Sequence, residues 1–184
     1  MTPSPSVIPG WRAMMPGDLP SVLAIADAVH PDFPEDPAIF AERLALHPEG
    51  CRVLDHGGAI LAYVLSHPWA AESCPPLNRL LGTLPAQAAS YYIHDLALLP
   101  TARGSGAAPA IVAALAGHAA RLGLPAMSLV AVNGSAGFWR RQGFAEATVP
   151  ALADKLASYG ADARFMVRDL LSGLRPSATV TSAS

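Results

Sequence analysis

The chain has 184 residues, 52% of them hydrophobic and 14% charged, with a formal net charge of −2. That length can bury a sizeable core in one domain, and the weak charge, with no basic cluster beyond Arg140-Arg141, excludes nucleic acid as a bulk electrostatic partner. No apolar run approaches the roughly 20 residues of a membrane helix, and two cysteines, Cys51 and Cys74, suit reduced core thiols better than a disulfide framework.

Met1 to Gly10 is rich in Pro and Ser and reads as a flexible N-terminus. It has neither the positive stretch nor the apolar core of a signal peptide, so a cytoplasmic protein is expected. Residues 11–170 form the expected domain. Trp11 to Met15 reads as a strand, and Pro16-Gly17-Asp18 as a turn that starts a helix over Leu19 to Val29. Prolines 31, 34 and 37 break the next stretch into a loop, His30 to Pro37, followed by a helix over Ala38 to His47. Cys51 to Asp55 and Ala59 to Ser66 read as strands joined at Gly57-Gly58. His67-Pro68-Trp69 opens an insertion that runs to about Ala89.

Ser90 to Leu98, rich in aromatic and branched residues, is the next strand. A short Arg/Gly loop follows, then a helix with Pro109 in its first turn, apolar positions Ile111, Val112, Leu115, Ala119 and Leu122 on its buried face, and Gly123 closing it. Met127 to Val132 is a strand and Ser135 to Gln142 a short helix ended by Gly143. Phe144 starts another strand, and Ala163 to Leu170 is the last. Residues 171–184, rich in Ser, Thr and Ala, read as a disordered tail. Hairpins in front and a strand–helix–strand crossover behind give an α/β domain with a mixed sheet.

The segment Tyr91 to Ala108 carries the chemistry. A strand that runs through a Gly-bearing loop into a helix presents free backbone N–H groups at a helix N-terminus, where the dipole favours an anion. The loop is not a Walker loop, because no Lys-Ser/Thr follows the glycine, and it lacks the second half of a dinucleotide fingerprint. Arg103-x-x-Gly106-x-Ala108 alone arises by chance in roughly a few tenths of chains this long. Its context is more specific: Asn133-x-x-Ala136-x-Phe138-Trp139-x-x-x-Gly143-Phe144 follows about 25 residues later.

The two blocks together resemble the GCN5-related N-acetyltransferase (GNAT) superfamily, with most of the specificity in Ser90 to Phe144 and a matching layout from Trp11 onward. The resemblance implies a single domain whose mixed, mostly antiparallel sheet is flanked by helices and splays at its central strands. It implies acetyl-CoA as cosubstrate and no metal. Leu96, Ala97 and Leu98 would pair with the pantetheine arm. Arg103, Gly104, Ser105, Gly106, Ala107 and Ala108 would cradle the pyrophosphate, while Asn133, Ala136, Phe138 and Trp139 would flank the thioester. Within the superfamily the layout is most similar to the aralkylamine N-acetyltransferases, whose strand histidines relay protons. One of those falls on His94 and the other on Tyr92, which share a strand face. Many relatives place a tyrosine as general acid where this chain has Trp139, and an indole N–H cannot deliver a proton as an acid. Water, Ser135 or Tyr159 are the candidate replacements.

Chemically, acyl transfer from a thioester needs the acyl carbon held near a neutral amine and a base for the ammonium proton. The expected activity is direct transfer of acetyl to a primary amine, a small molecule. The rival readings are a peptide N-acetyltransferase and a non-catalytic acyl-CoA-binding protein. Asp32, Glu35 and Asp36 in the His30 to Pro37 loop suit a cationic acceptor. His30, His47, His56, His67 and His118 show no metal-ligand spacing. A homodimer is left open; nucleic acid and membrane are not expected partners.

Overall fold

A computed structural model describes residues 10–171. The N-terminal segment and the tail expected from residue 171 onward lie almost wholly outside the described residues. The element order is β1 (Trp11–Ala13), α1 (Leu19–Val29), α2 (Pro37–Leu46), β2 (Arg52–His56), β3 (Ala59–Trp69), β4 (Ser90–Leu98), α3 (Ala107–Arg121), β5 (Ala126–Ala131), α4 (Ala136–Arg141), β6 (Ala145–Glu146), α5 (Ala153–Ala157) and β7 (Arg164–Asp169), with short 3-10 turns between. The strands form one seven-stranded sheet in the order β1-β2-β3-β4-β5-β7-β6. Every neighbouring pair is antiparallel except β4 and β5.

Strand alternation divides the core between the two faces of the sheet. On β3, Ala62 and Val64 pack with Ile111, Val112, Leu115 and Ala119 of α3, whereas Tyr63 and Leu65 pack with Val22 and Ile25 of α1 and Ile39 and Phe40 of α2. Each large aliphatic side chain so buried contributes about 1.5–3 kcal/mol. Local chemistry starts the second helix: Asp36 Oδ1 accepts the Ala38 N–H at 2.8 Å ahead of Pro37, which takes the first helical position.

The structure departs from the sequence reading in three places. Strand β3 does not stop at Ser66 but runs on to Trp69, with Pro68 paired to Tyr91. Its pairing with β2 ends at Val64, so Pro68 sits on a free strand edge, where a missing N–H is tolerated. Leu122, expected on the buried face of α3, is 47% exposed. The helix ends at Arg121 with Gly123 at φ 73°, and the N–H groups of Gly123 and Leu124 return to Ala120 O and Ala119 O at 3.0 Å. This Schellman closure turns Leu124 inward in place of Leu122. Helix α5 was not expected at all. Cys51 and Cys74 are buried and free, as anticipated.

Two irregularities of β4 make room for a site. It pairs with β5 only at Tyr91–Met127 and Tyr92–Ser128, so the strands splay from Ile93 onward. Against β3, the register passes from Asp95 opposite Leu65 to Ile93 opposite Ser66, which leaves His94 as an unpaired bulge residue. Ile93 and Leu96, three apart, both pack on the α3 side, and Ala97 packs on the α1 side. Alternation therefore slips by one, and His94 and Asp95 both face the α1–α2 side.

Candidate active site

The splay opens a cavity of about 770 Å³ between β4, β5, the start of α3 and α4. Of the residues expected around a cofactor, Leu96, Leu98, Arg103, Gly104, Gly106, Ala107, Ala108, Asn133, Phe138 and Trp139 line it. Ala97, Ser105 and Ala136 do not. Ala97 turns to the α1–α2 face, and Ala136 packs into the core on the α3 side. The Ser105 hydroxyl instead ties the loop together, donating to Ala102 O at 2.7 Å and accepting the Ala107 N–H at 3.3 Å.

Gly104 and Gly106 hold φ of 74° and 82°, a region that side-chain-bearing residues avoid, and nothing lies within 4 Å of where a Cβ would stand on either. Among the described residues no protein acceptor takes the N–H groups of Gly104, Ser105 or Gly106, and in the first turn of α3 the Ala108 N–H is likewise without one, whereas Ser105 Oγ holds the Ala107 N–H and Pro109 has none. The loop is therefore an open ring of donors at the positive end of a 15-residue helix. Trp11 Nε1–H anchors its exit by donating to Ala107 O at 3.0 Å. Arg141 and Gln142 also line the cavity; only the charge of the Arg140-Arg141 pair had drawn notice in the sequence.

A smaller cavity of about 70 Å³ adjoins the first, lined by Phe33, Glu35, Leu77, Tyr92 and Tyr159 among others. His30, His94, Asp95, Val130 and Val132 belong to both walls. At this junction His94 Nε2 lies 2.8 Å from Glu35 Oε1, and the two side chains are only 6% and 7% exposed. Since a carboxylate only accepts, Nε2–H donates, and a neutral ring keeps its lone pair on Nδ1. Burial would raise the Glu35 carboxyl pKa, but the His94 contact and the Asn78 N–H outweigh it, so Glu35 lies below the usual range. The Tyr92 and His94 rings are 6.5 Å apart with no hydrogen bond joining them. Burial pushes the Tyr92 hydroxyl well above its ordinary pKa.

A second pair stands beside the first. His30 Nε2 lies 2.9 Å from Asp95 Oδ1, an ion-pair contact rather than an aligned hydrogen bond, and Tyr63 Oη–H also donates to Asp95. Burial lowers the imidazole pKa of His30, but Asp95, with help from Glu35, more than reverses this, so the net direction is upward. Trp139 is 8% exposed and packed edge-on against Phe138 and Phe144 at 4.9 and 5.5 Å.

The loop after α1 and the segment 70–89 close over this end as one body. Glu35 Oε2 accepts the Asn78 N–H at 3.0 Å, and Asn78 Oδ1 accepts the Asp36 N–H at 2.7 Å. Glu42 accepts the N–H groups of Leu81 and Gly82, each at 2.8 Å, and Arg43, only 1% exposed, donates to Arg79 O at 3.2 Å. His30, Asp95 and Asn78 were not singled out as site residues in the sequence. Their partners lie tens of residues away, and Asp95 faces the site only because of the bulge. Among the described residues no group of three His, Cys, Asp or Glu could hold a metal, and no helix is long and apolar enough to cross a membrane.

Residues 19–144 match the model of the Acetyltransferase (GNAT) family, and the chain belongs to that family as an acyltransferase. No curated protein matches it in sequence. Among solved structures, the GphF GNAT-like decarboxylase in complex with isobutyryl-CoA is 18% identical with TM-score 0.71, over 87% of this chain and 98% of its own. Naa20 of Chaetomium thermophilum, bound to a bisubstrate analogue, is 19% identical with TM-score 0.66, over 86% and 85%. N-acetylglutamate synthase of Neisseria gonorrhoeae, complexed with coenzyme A and N-acetyl-glutamate, is 19% identical with TM-score 0.64. It aligns over 87% of this chain and 34% of its own. At these identities the likeness is one of fold.

Proposed function

We propose that this GNAT-family chain transfers the acetyl group of acetyl-CoA directly to a small primary amine in a ternary complex. The observation that carries the reading is the buried His94–Glu35 pair at the junction of the two cavities. The larger cavity, about 770 Å³ with an amide-lined mouth, suits the diphosphate and pantetheine of coenzyme A, a ligand that the solved GphF and N-acetylglutamate synthase structures contain in acylated or free form. The smaller one offers aromatic walls, Phe33 and Tyr159, beside the Glu35 carboxylate, an environment that suits an ammonium group carried on an apolar body.

His94 takes a proton from the ammonium through Nδ1, and Glu35 holds the ring and stabilises the imidazolium that results. The neutral nitrogen then attacks the carbonyl carbon of the thioester. The C–N bond forms, the C–S bond breaks and the sulfur leaves with the electron pair. Holding both reactants across one junction supplies the proximity that this step needs. Leu96, Leu98, Asn133 and Phe138 enclose the arm near the thioester, and Arg103 with the loop amides neutralises the phosphates.

A peptide acceptor fits less well, because the loop after α1 and the segment 70–89 are stitched together over the acceptor end. Thiol release from acetyl-CoA, measured across a panel of aromatic and aliphatic amines, polyamines and short peptides, tests the proposal. Turnover with small amines is expected. Tight CoA binding without turnover on any acceptor would leave a non-catalytic binder. Amine-free controls with a carboxyacyl-CoA would reveal decarboxylation, the chemistry named for GphF.

A further inference from the structure

The transfer produces a thiolate, and Trp139, which lines the cavity, cannot protonate it because an indole N–H is not an acid. Tyr159 and Tyr92 line only the smaller cavity, and burial pushes both hydroxyls upward in pKa, away from acid duty. Of the residues common to both walls, three titrate: His94, His30 and Asp95. His94 is occupied with Glu35 and the incoming amine, and Asp95 accepts from Tyr63 and contacts His30.

Resting on the acetyl-transfer reading, we propose that His30, oriented by Asp95, is the proton donor to the departing thiolate. Its place is fixed by the fold. His30 is the C-cap of α1, its backbone N–H bound to Ala26 O at 2.8 Å, and its ring reaches the bulged turn of β4. Nε2 faces Asp95, and among the described residues no protein group hydrogen-bonds Nδ1. A doubly protonated ring thus carries one N–H against Asp95, in that ion-pair contact, and a second on Nδ1 without a protein partner. The charged and titratable groups around it are Asp95 and His94 on β4, Tyr63 on β3 behind Asp95, Glu35 in its own loop, and Tyr159 after α5. The two carboxylates dominate, and a helix C-terminus also favours a cation.

In balanced form, the ammonium loses one proton to His94 before attack. His94 passes that proton to solvent and takes the second from the adduct nitrogen as the C–N bond forms. When the C–S bond breaks, its electron pair stays on sulfur, which takes the Nδ1 proton of His30. His30 is reprotonated from solvent, so each turn releases one amide, one CoA thiol and one proton.

The test compares the full chain with His30→Gln and Asp95→Asn, following kcat for the best amine from about pH 6 to about pH 10 together with CoA affinity. His30→Gln should lose roughly 10²–10⁴-fold in kcat, with CoA dissociation constant and amine KM within about threefold, and should lose the alkaline fall in kcat. Asp95→Asn should keep that fall but shift it to lower pH, a movement that a purely structural role would not produce. A His30→Gln kcat within about threefold of the parent chain, with the alkaline limb intact, overturns the proposal. So does an Asp95→Asn profile that does not move. If the parent chain binds CoA but turns over no amine, the acetyl-transfer reading itself falls and this one with it.

Discussion

His67 allows a magnitude to be worked from the structure. It is 1% exposed, and its Nδ1–H donates to Pro68 O at 2.9 Å, which leaves Nε2 as a buried acceptor with no partner. Burial drives its pKa from the ordinary 6.5 down to about 3; the Pro68 contact opposes this, and His94, Arg43 and His47 reinforce it. The folded value lies below the unfolded one, so the unfolded chain takes up the proton first. The resulting stability is complete above 6.5 and is lost as pH falls from there toward 3. The slope is about 1.4 kcal/mol per pH unit, hence about 2 kcal/mol between pH 6.5 and pH 5, or about 4–8 °C in Tm. The assay is denaturant unfolding at closely spaced pH values for the parent chain and His67→Asn. The Asn side chain keeps a donor where Nδ1 stands and cannot titrate. A constant loss from the missing ring atoms is expected, with the acid slope shallower by that amount. His47 and His118, also depressed by burial, titrate in both chains and cancel. Parallel curves would refute the argument and imply that the folded chain protonates His67 readily.

Three further outcomes concern the site. Glu35→Gln keeps the size of the side chain but removes its charge, so kcat should fall roughly 10²-fold or more while CoA affinity holds; calorimetry against steady-state kinetics separates the two. Gly106→Ala places a Cβ at φ 82°, costing about 1–2 kcal/mol and tilting the amide ring, so the CoA dissociation constant should rise roughly 5–30-fold in titration calorimetry. Asn78→Ala loses the bond to the Asp36 N–H, worth about 1 kcal/mol, and strains a backbone at φ 50°. It should raise amine KM several-fold and leave CoA affinity unchanged, and a matching loss of CoA affinity would show that the cover is not confined to the acceptor.

The half of the site proposed for the cofactor is local in sequence. Tyr91 to Ala108 is one strand, one loop and one helix start, and Asn133 to Phe144 follows about 25 residues behind it; the glycines that permit the loop are visible in the sequence. The half proposed for the acceptor is built from contacts far apart in sequence. His94 finds Glu35 at a separation of 59 residues, and Asp36 finds Asn78 at 42; no periodicity announces either. A regular strand would set Asp95 on the face opposite His94, and the bulge returns it to the site, an event that depends on how β3 and β4 settle against each other. The run of β3 through Pro68 was hidden for a related reason: proline reads as a stop until β2 is known to end at Val64.

A regular strand places same-side residues two apart, about 6.5–7 Å along its axis. The bulge at His94 sets neighbours on one side, at the 3.8 Å spacing of consecutive Cα atoms. One ladder position is given up, and in return two acid–base units, one drawn from each end of the α1–α2 connection, meet at a point rather than along a line. In the proposed transfer the attacking nitrogen and the leaving sulfur flank a single carbon, and groups that meet at a point suit that geometry.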